Sequence, residues 1–317
     1  MIWITITVLI MSVTLSHTDD FCYDNHHCDP YAWGDWFQSC HPILEAHHSP
    51  INLDHSMSRN DSLDALLLDG FNASHTGHWK LKNNGHSIVL EVGNGMSVSG
   101  GGLPGLYHTT QLHFHWGSLI SNGSEHTVDQ HRYPMEMHIV NVKSSHPNLT
   151  SALADPTGLA VLGFFIDVNY IDNVHFGQIS QLLSSVAYKG EMASVKPFPL
   201  ISLLPENSLS KYYRYHGSLT TPPCSQAVLW TMYEVPIYVS WSQFKQFATR
   251  IFSTEKDEEH VTHLHDNFRH IHPIFSRRIY ASKDAKLLSA STTHLYIPVL
   301  AVLLLQPTLT VVLIYGL

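Results

Sequence analysis

Charge is scarce in this chain. Asp, Glu, Lys and Arg make up 14% of its 317 residues, with 17 basic against 26 acidic side chains. The net charge is −9 and the pI is near 6.2. No basic patch with interleaved aromatics occurs, which argues against a nucleic-acid partner. Cysteine is limited to Cys22, Cys28, Cys40 and Cys224, and their spacing matches no zinc finger. The Gly-rich stretch "GNGMSVSGGGLPG" is not followed by Gly-Lys-Ser/Thr, so turns between strands are expected there rather than a phosphate loop. A His-Glu-x-x-His helix and a Gly-x-Ser-x-Gly elbow are both missing, which disfavours a zinc peptidase and a serine hydrolase. No linker, low-complexity tract or repeat divides the chain, and its length suits one large domain.

Long apolar runs occur only at the ends. "MIWITITVLIMSVTLS" carries no charge and is followed at once by polar "HTDD". It reads as a secretory signal covering residues 1–16, although it lacks the usual basic n-region. At the other end, an apolar segment begins near Ile297 and runs to Leu317 without a following Lys or Arg. Small residues stand just upstream at Ser289, Ala290 and Ser291. That combination predicts a GPI-attachment signal over 289–317, with the lipid on Ser289. The alternative is a plain membrane helix, which Gln306 and Pro307 would interrupt. The domain proper is then 17–288, at the outer face of the plasma membrane. Four cysteines in an exported chain suggest two disulfides, with three connectivities open. Sequons at Asn60, Asn72, Asn122 and Asn148 fit the same route.

Strand signals dominate the interior. "HSIVLEV", "QLHFHWG", "MEMHIVNV", "LAVLGFFIDV" and "AVLWTMYEV" are short, rich in β-branched and aromatic residues, and bounded by turn formers. Helical periodicity is confined to Asn173–Val186 and Ser240–Ile251. A mainly β fold with minor α content is predicted.

Histidine is what the chain has in excess, 25 in all. His-x-His spacing recurs at His263/His265 and His270/His272, so spacing alone says little. The pair in "QLHFHWG" differs by its context. On a strand, Gln111, His113 and His115 face one way. "PMEMHIV" carries Glu136 and His138 with the same parity. If these two strands pair, three imidazoles converge, with an amide and a carboxylate beside them. Three neutral histidines suit Zn²⁺ and leave a fourth tetrahedral position open. Gln111 and Glu136 are placed to take the second N–H of the ligating rings.

With these residues in view, the chain resembles the α-carbonic anhydrases. "QLHFHWG", "GSEHTVD", "EMHIV" and "GSLTTPP" occur in that family's order and spacing, and "SPIN", "NNGH" and "DNFR" extend the match over roughly Trp33 to Ala281. The membrane-anchored extracellular branch is the nearest likeness. The resemblance implies one domain around a large twisted, mostly antiparallel sheet, and reversible hydration of CO₂ to bicarbonate and a proton. It implies His113, His115 and His138 as zinc ligands, with the Asn267 carbonyl orienting His115. Thr220 matches the threonine whose hydroxyl accepts from zinc-bound hydroxide and donates to a buried carboxylate, here Glu125. The Thr220 N–H and Thr221 would hold bicarbonate, and Val140, Val161, Leu219, Val228 and Trp230 would line the CO₂ site. His86 matches the proton shuttle. The resemblance also implies bridges Cys22–Cys28 and Cys40–Cys224, a lipid-anchored membrane association, and a bicarbonate transporter as a partner.

Four positions depart from the family's common pattern: Asp35, His48, Val89 and His270. Asp35 and Val89 fall where the resemblance puts the proton-relay water chain, so they bear on transfer rate. The rival reading is a catalytically silent carbonic anhydrase-like binding or adhesion module. Such relatives typically lack a zinc histidine that this chain keeps.

Overall fold

The computed structural model describes residues 21–54 and 56–288. The expected signal peptide and the Ser289 anchor segment lie outside them. Among the described residues, no helix is long and apolar enough to cross a membrane.

The strands are β1 (Asn52–Leu53), β2 (Ser58–Asn60), β3 (Leu66–Asp69), β4 (Trp79–Asn83), β5 (Ile88–Glu91), β6 (Ser97–Gly100), β7 (Tyr107–Trp116), β8 (Thr127–Val128), β9 (His131–Arg132), β10 (Met135–Lys143), β11 (Leu159–Asn169), β12 (Met192–Val195), β13 (Tyr212–Gly217), β14 (Val228–Ser240) and β15 (Tyr280–Ser282). Four short helices accompany them: α1 (Trp33–Trp36), α2 (Leu149–Ala152), α3 (Gly177–Ser180) and α4 (Trp241–Arg250). Twelve strands make one sheet, whose main path is β12-β4-β5-β7-β10-β11-β14-β13-β15-β2. Its pairings are antiparallel except β11 with β14 and β15 with β2. All five strand signals named above lie in this sheet, and the Gly-rich stretch forms turns around β6.

The centre of the sheet is buried on both faces, and alternation divides its side chains. Leu112, Phe114 and Trp116 of β7 join Met135, Met137 and Ile139 of β10 in one apolar core. Phe176 and Phe247 cover that face; the Phe114 ring lies 5.7 and 5.3 Å from theirs. Truncating one such buried phenylalanine costs about 3–5 kcal/mol. The opposite face carries Gln111, His113, His115, Glu136 and His138, beside a second core that includes Val140, Val161, Phe165 and Trp230.

The helix predicted over Ser240–Ile251 is α4, and its start is fixed by a capping box. Ser240 Oγ accepts from Gln243 N at 3.2 Å, and Gln243 Oε1 accepts from Ser240 N at 3.1 Å. The helix predicted over Asn173–Val186 is shorter than expected. It breaks into α3 and a 3₁₀ turn at Leu183–Ser185. Gly177 and a run of serines give it little helix propensity, and docking of Phe176, Ile179 and Leu183 into the core sets its shape.

Both disulfides have the pairing that the resemblance implied. Cys22–Cys28 and Cys40–Cys224 each have a Cα separation of 5.0 Å. Buried Trp33 packs with Cys40 and Cys224, and its indole N–H donates to Cys28 O at 2.8 Å.

Candidate active site

β7 and β10 pair antiparallel, with His113 opposite His138 and His115 opposite Glu136. Register therefore brings the three imidazoles together, with ring centroids 4.7–5.1 Å apart. Each ring has one nitrogen held from outside. His113 Nδ1 lies 3.0 Å from Gln111 Oε1, His115 Nδ1 2.7 Å from Asn267 O, and His138 Nε2 2.6 Å from Glu136 Oε1. The other nitrogens point inward. His138 Nδ1 and His113 Nε2 are 3.2 Å apart, while buried His115 Nε2 has no hydrogen-bond partner.

A metal ion fits this arrangement. Ligand distances of about 2.0–2.1 Å in a tetrahedron put nitrogens about 3.3–3.4 Å apart. A buried imidazole nitrogen without a partner is costly unless something takes its lone pair. Burial, with the neighbouring imidazoles adding to it at His113, pushes His113 and His115 below the usual histidine pKa. Both are neutral near pH 7 and can act as ligands. A second group, His126, Glu136 and His138, is also close enough to hold an ion. There the facing atoms are already engaged: Glu136 Oε1 lies 2.7 Å from His126 Nδ1 and 2.6 Å from His138 Nε2. It is better described as the support for His138.

That support extends further than sequence reasoning found. The His126 amide donates to Glu136 Oε2 at 2.8 Å, and its Nε2 lies 2.6 Å from the Tyr215 hydroxyl. Tyr215 in turn is 2.8 Å from Ser49 Oγ. Burial alone would raise the Glu136 pKa; the His126 ring and the bonds from both histidines hold it well below the usual carboxylate range. The hint in the sequence was His126 itself, directly after Glu125 in "GSEHT".

Asn267 joins several parts of the site. Its carbonyl takes His115, its Oδ1 accepts from Trp116 N at 2.8 Å, and its Nδ2 donates to His86 O at 2.9 Å. His86 stands in the turn between β4 and β5, half-buried and stacked on Phe21 at 3.9 Å. Its surroundings form a cavity of about 550 Å³ that also includes Tyr23, His263 and His265. That cavity stops short of the three imidazoles; His115 and His138 are each only 1% exposed.

Val140, Val161, Val228 and Trp230 are buried in one cluster, with Leu219 packed against it. The Trp230 ring lies 4.8 Å from His138, and its N–H donates to Ser218 O at 3.0 Å. Thr220 is buried and Thr221 partly so. The Thr221 carbonyl accepts from Cys224 N at 2.9 Å, so the second disulfide closes directly on this loop.

One expected contact is not formed. Thr220 does not hydrogen-bond Glu125 in this structure. Glu125 Oε1 takes the Arg269 amide at 3.0 Å, which turns Oε2 toward the imidazoles. There Oε2 lies 3.4 Å from His115 Nε2 and 4.0 Å from His138 Nδ1, with no hydrogen-bond partner. Of the departures from pattern, Val89 is buried opposite His113, and Asp35 is exposed on α1. His48 and His270 lie near Arg269, away from the three imidazoles, and the His48 ring is 5.1 Å from that of His272.

The sequence profile of the eukaryotic-type carbonic anhydrases matches residues 28–283. The chain belongs to that family. Similar proteins include carbonic anhydrase 15 of Mus musculus, 34% identical over 89% of this chain and 89% of that protein. Carbonic anhydrase 12 of Homo sapiens is 37% identical over 79% and 70%, and carbonic anhydrase 4 of Oryctolagus cuniculus 34% over 84% and 85%. The twisted β sheet, the paired strands and the histidine cluster are thus those of a carbonic anhydrase, and the chain is an enzyme of that type.

Proposed function

We propose that this carbonic anhydrase uses one Zn²⁺, held by His113, His115 and His138, to hydrate CO₂ reversibly at the outer face of the plasma membrane. The observation that carries the metal reading is the convergence of three inward nitrogens, one of them buried without a partner. When bound, the zinc supplies acidity, bringing water ionisation down to near neutral pH, the behaviour for which carbonic anhydrases themselves are known.

The chain's own residues do the rest. Gln111, the Asn267 carbonyl and Glu136 hold each ring in one tautomer and orientation. Val140, Val161, Leu219, Val228 and Trp230 offer CO₂ an apolar wall that a charged product leaves readily. The Thr220 amide can donate to an oxygen as negative charge develops on it, with Thr221 beside it. A change of side-chain torsion would let Glu125 accept the Thr220 hydroxyl and so direct that hydroxyl's lone pair. An imidazole can relay a proton from the site to buffer, and the cavity beside His86 gives that ring access to solvent.

Two disulfides, four sequons and the apolar ends support an exported domain, 17–288, with a C-terminal lipid at Ser289. A bicarbonate transporter beside it would remove the product. Stopped-flow CO₂ hydration by the secreted protein tests the reading. Activity lost to a zinc chelator and restored by zinc is expected. A zinc-loaded, folded protein with no activity would favour a silent binding module.

A further inference from the structure

Two histidines that the hydration reaction does not use also carry buried nitrogens without a partner, His270 Nδ1 and His272 Nε2. His272 is 3% exposed, and its backbone is fixed beside β1. Its amide donates to Pro50 O at 2.9 Å, and it forms a parallel bridge with Ile51. The His270 and His272 rings have centroids 4.5 Å apart and planes at 47°. His48 stands next to them, but both its nitrogens are engaged. Its Nε2 lies 2.8 Å from Ser39 O and its Nδ1 3.3 Å from Arg269 Nη2.

The tautomer of His272 is set from behind. Its Nδ1 lies 3.3 Å from Oε1 of Glu45, on a 3₁₀ turn at Pro42–His47. An N–H at Nδ1 facing that carboxylate leaves the lone pair on Nε2, the nitrogen that has no partner. A carboxylate behind an imidazole is the arrangement that orients a metal ligand and raises its basicity. Glu136 stands behind His138 in the same way.

We propose that His270 Nδ1 and His272 Nε2 form a second metal site, for Cu²⁺, with Glu45 supporting His272 and water completing the coordination. Spacing selects the ion. With metal–nitrogen distances of about 2.0–2.1 Å, two imidazoles on one ion have centroids roughly 4.5 Å apart at a right angle and roughly 5.2 Å apart at the tetrahedral angle. At 4.5 Å this pair matches the right angle of tetragonal Cu²⁺, whereas the rings of the proposed zinc centre are 4.7–5.1 Å apart. Cu²⁺ is also the first-row divalent ion that nitrogen ligands hold most tightly. Among the described residues, the groups of three side chains able to hold an ion are His113, His115 and His138, and His126, Glu136 and His138. Water must therefore supply the remaining ligands at His270 and His272.

There is a route for both ion and water. His272 lines a cavity of about 690 Å³ together with Asp54 and Ser56. The exposed Tyr31 ring lies flat on His270 at 4.4 Å, so movement of one surface side chain uncovers that imidazole. Burial, and then Arg269, keep both rings unprotonated near neutral pH, the state a ligand requires. The guanidinium opposes a cation; the carboxylates of Glu45 beside His272 and Asp29 near His270 offset it.

Copper titration of the zinc-loaded secreted protein tests the assignment, read by calorimetry, by electron paramagnetic resonance and by metal analysis of each sample. The parent should take up one Cu²⁺ per chain while keeping its zinc, with a tetragonal spectrum split by nitrogen. Glu45→Gln should weaken that binding about tenfold or more, and His270→Ala and His272→Gln more strongly still. His48→Gln should change it little. A cooperative melt shows that each variant is folded, and should His272→Gln fail to fold, His270→Ala and Glu45→Gln decide. Equal copper affinity in the parent and these variants would put the ion on other histidines and overturn the site. Copper gained only as zinc is lost, or no copper bound at all, would overturn it as well.

Discussion

Removing the Cys40–Cys224 bridge is expected to cost far more than removing Cys22–Cys28, for a reason in the loop lengths. The two bridges span 184 and 6 residues. In the chain-entropy treatment, the closed loop of the long bridge stabilises by about 5 kcal/mol and that of the short one by about 2 kcal/mol. For a domain of this size each kcal/mol moves the melting temperature by roughly 2–4 °C. The double variant Cys40→Ser/Cys224→Ser should therefore melt roughly 10–20 °C lower, and Cys22→Ser/Cys28→Ser roughly 4–8 °C lower. Function should follow the same order, because Cys224 N donates to Thr221 O and the bridge ties the Thr220 loop to the N-terminal arm. Small displacements of positioned groups are expensive in rate, so kcat should fall in the first variant even well below its melting point. Scanning calorimetry and CO₂ hydration at 15 °C read both effects. Equal shifts in melting temperature, or an unchanged kcat in the long-bridge variant, would refute this account of the loop.

Three further outcomes can be checked. Glu136→Gln removes the charge 2.6 Å from His138 Nε2, and zinc affinity measured by chelator competition should drop about 10–100-fold; unchanged affinity would remove Glu136 from the metal's support. His86→Ala should slow turnover in dilute buffer and regain rate with added imidazole, whereas an unaffected rate would move the shuttle to another histidine. His48, His270 and His272 are held down to about 4, 4 and 2 respectively, chiefly by burial and then by Arg269. The unfolded chain binds their protons near pH 6.5 and the folded chain does not, so stability should fall as pH drops from about 6.5 toward 4. Urea midpoints at pH 7 and 5 should lie closer together for His48→Gln than for the parent, with His270 and His272 keeping the rest of the gap, and equal gaps in variant and parent would count against burial of a neutral His48.

The central strands and the three histidines were legible because their signal is local. Period-2 alternation in "QLHFHWG" and "PMEMHIV" fixes which side chains share a face, and antiparallel pairing needs little more. The parallel joint of β11 with β14 carries no such mark, since the strands are separated by a long connection. The Asn173–Val186 helix was misjudged in length because core docking of Phe176 and Leu183 outweighs weak propensity. Tyr215 and Ser49 behind His126 were hidden for another reason. They are 89 and 77 residues from it in sequence, and nothing local in a tyrosine or a serine says which buried imidazole it will meet. The orientation of Glu125 was equally hidden, because it depends on an amide, Arg269 N, that every residue possesses.

The central claim is the zinc centre, and X-ray absorption at the zinc edge with metal analysis tests it directly. One zinc per chain, with a nitrogen shell at about 2.0–2.1 Å, should be found in the parent protein and lost in His115→Ala. Stoichiometric zinc retained in both His115→Ala and His138→Ala, or a shell of sulfur at about 2.3 Å, would contradict it.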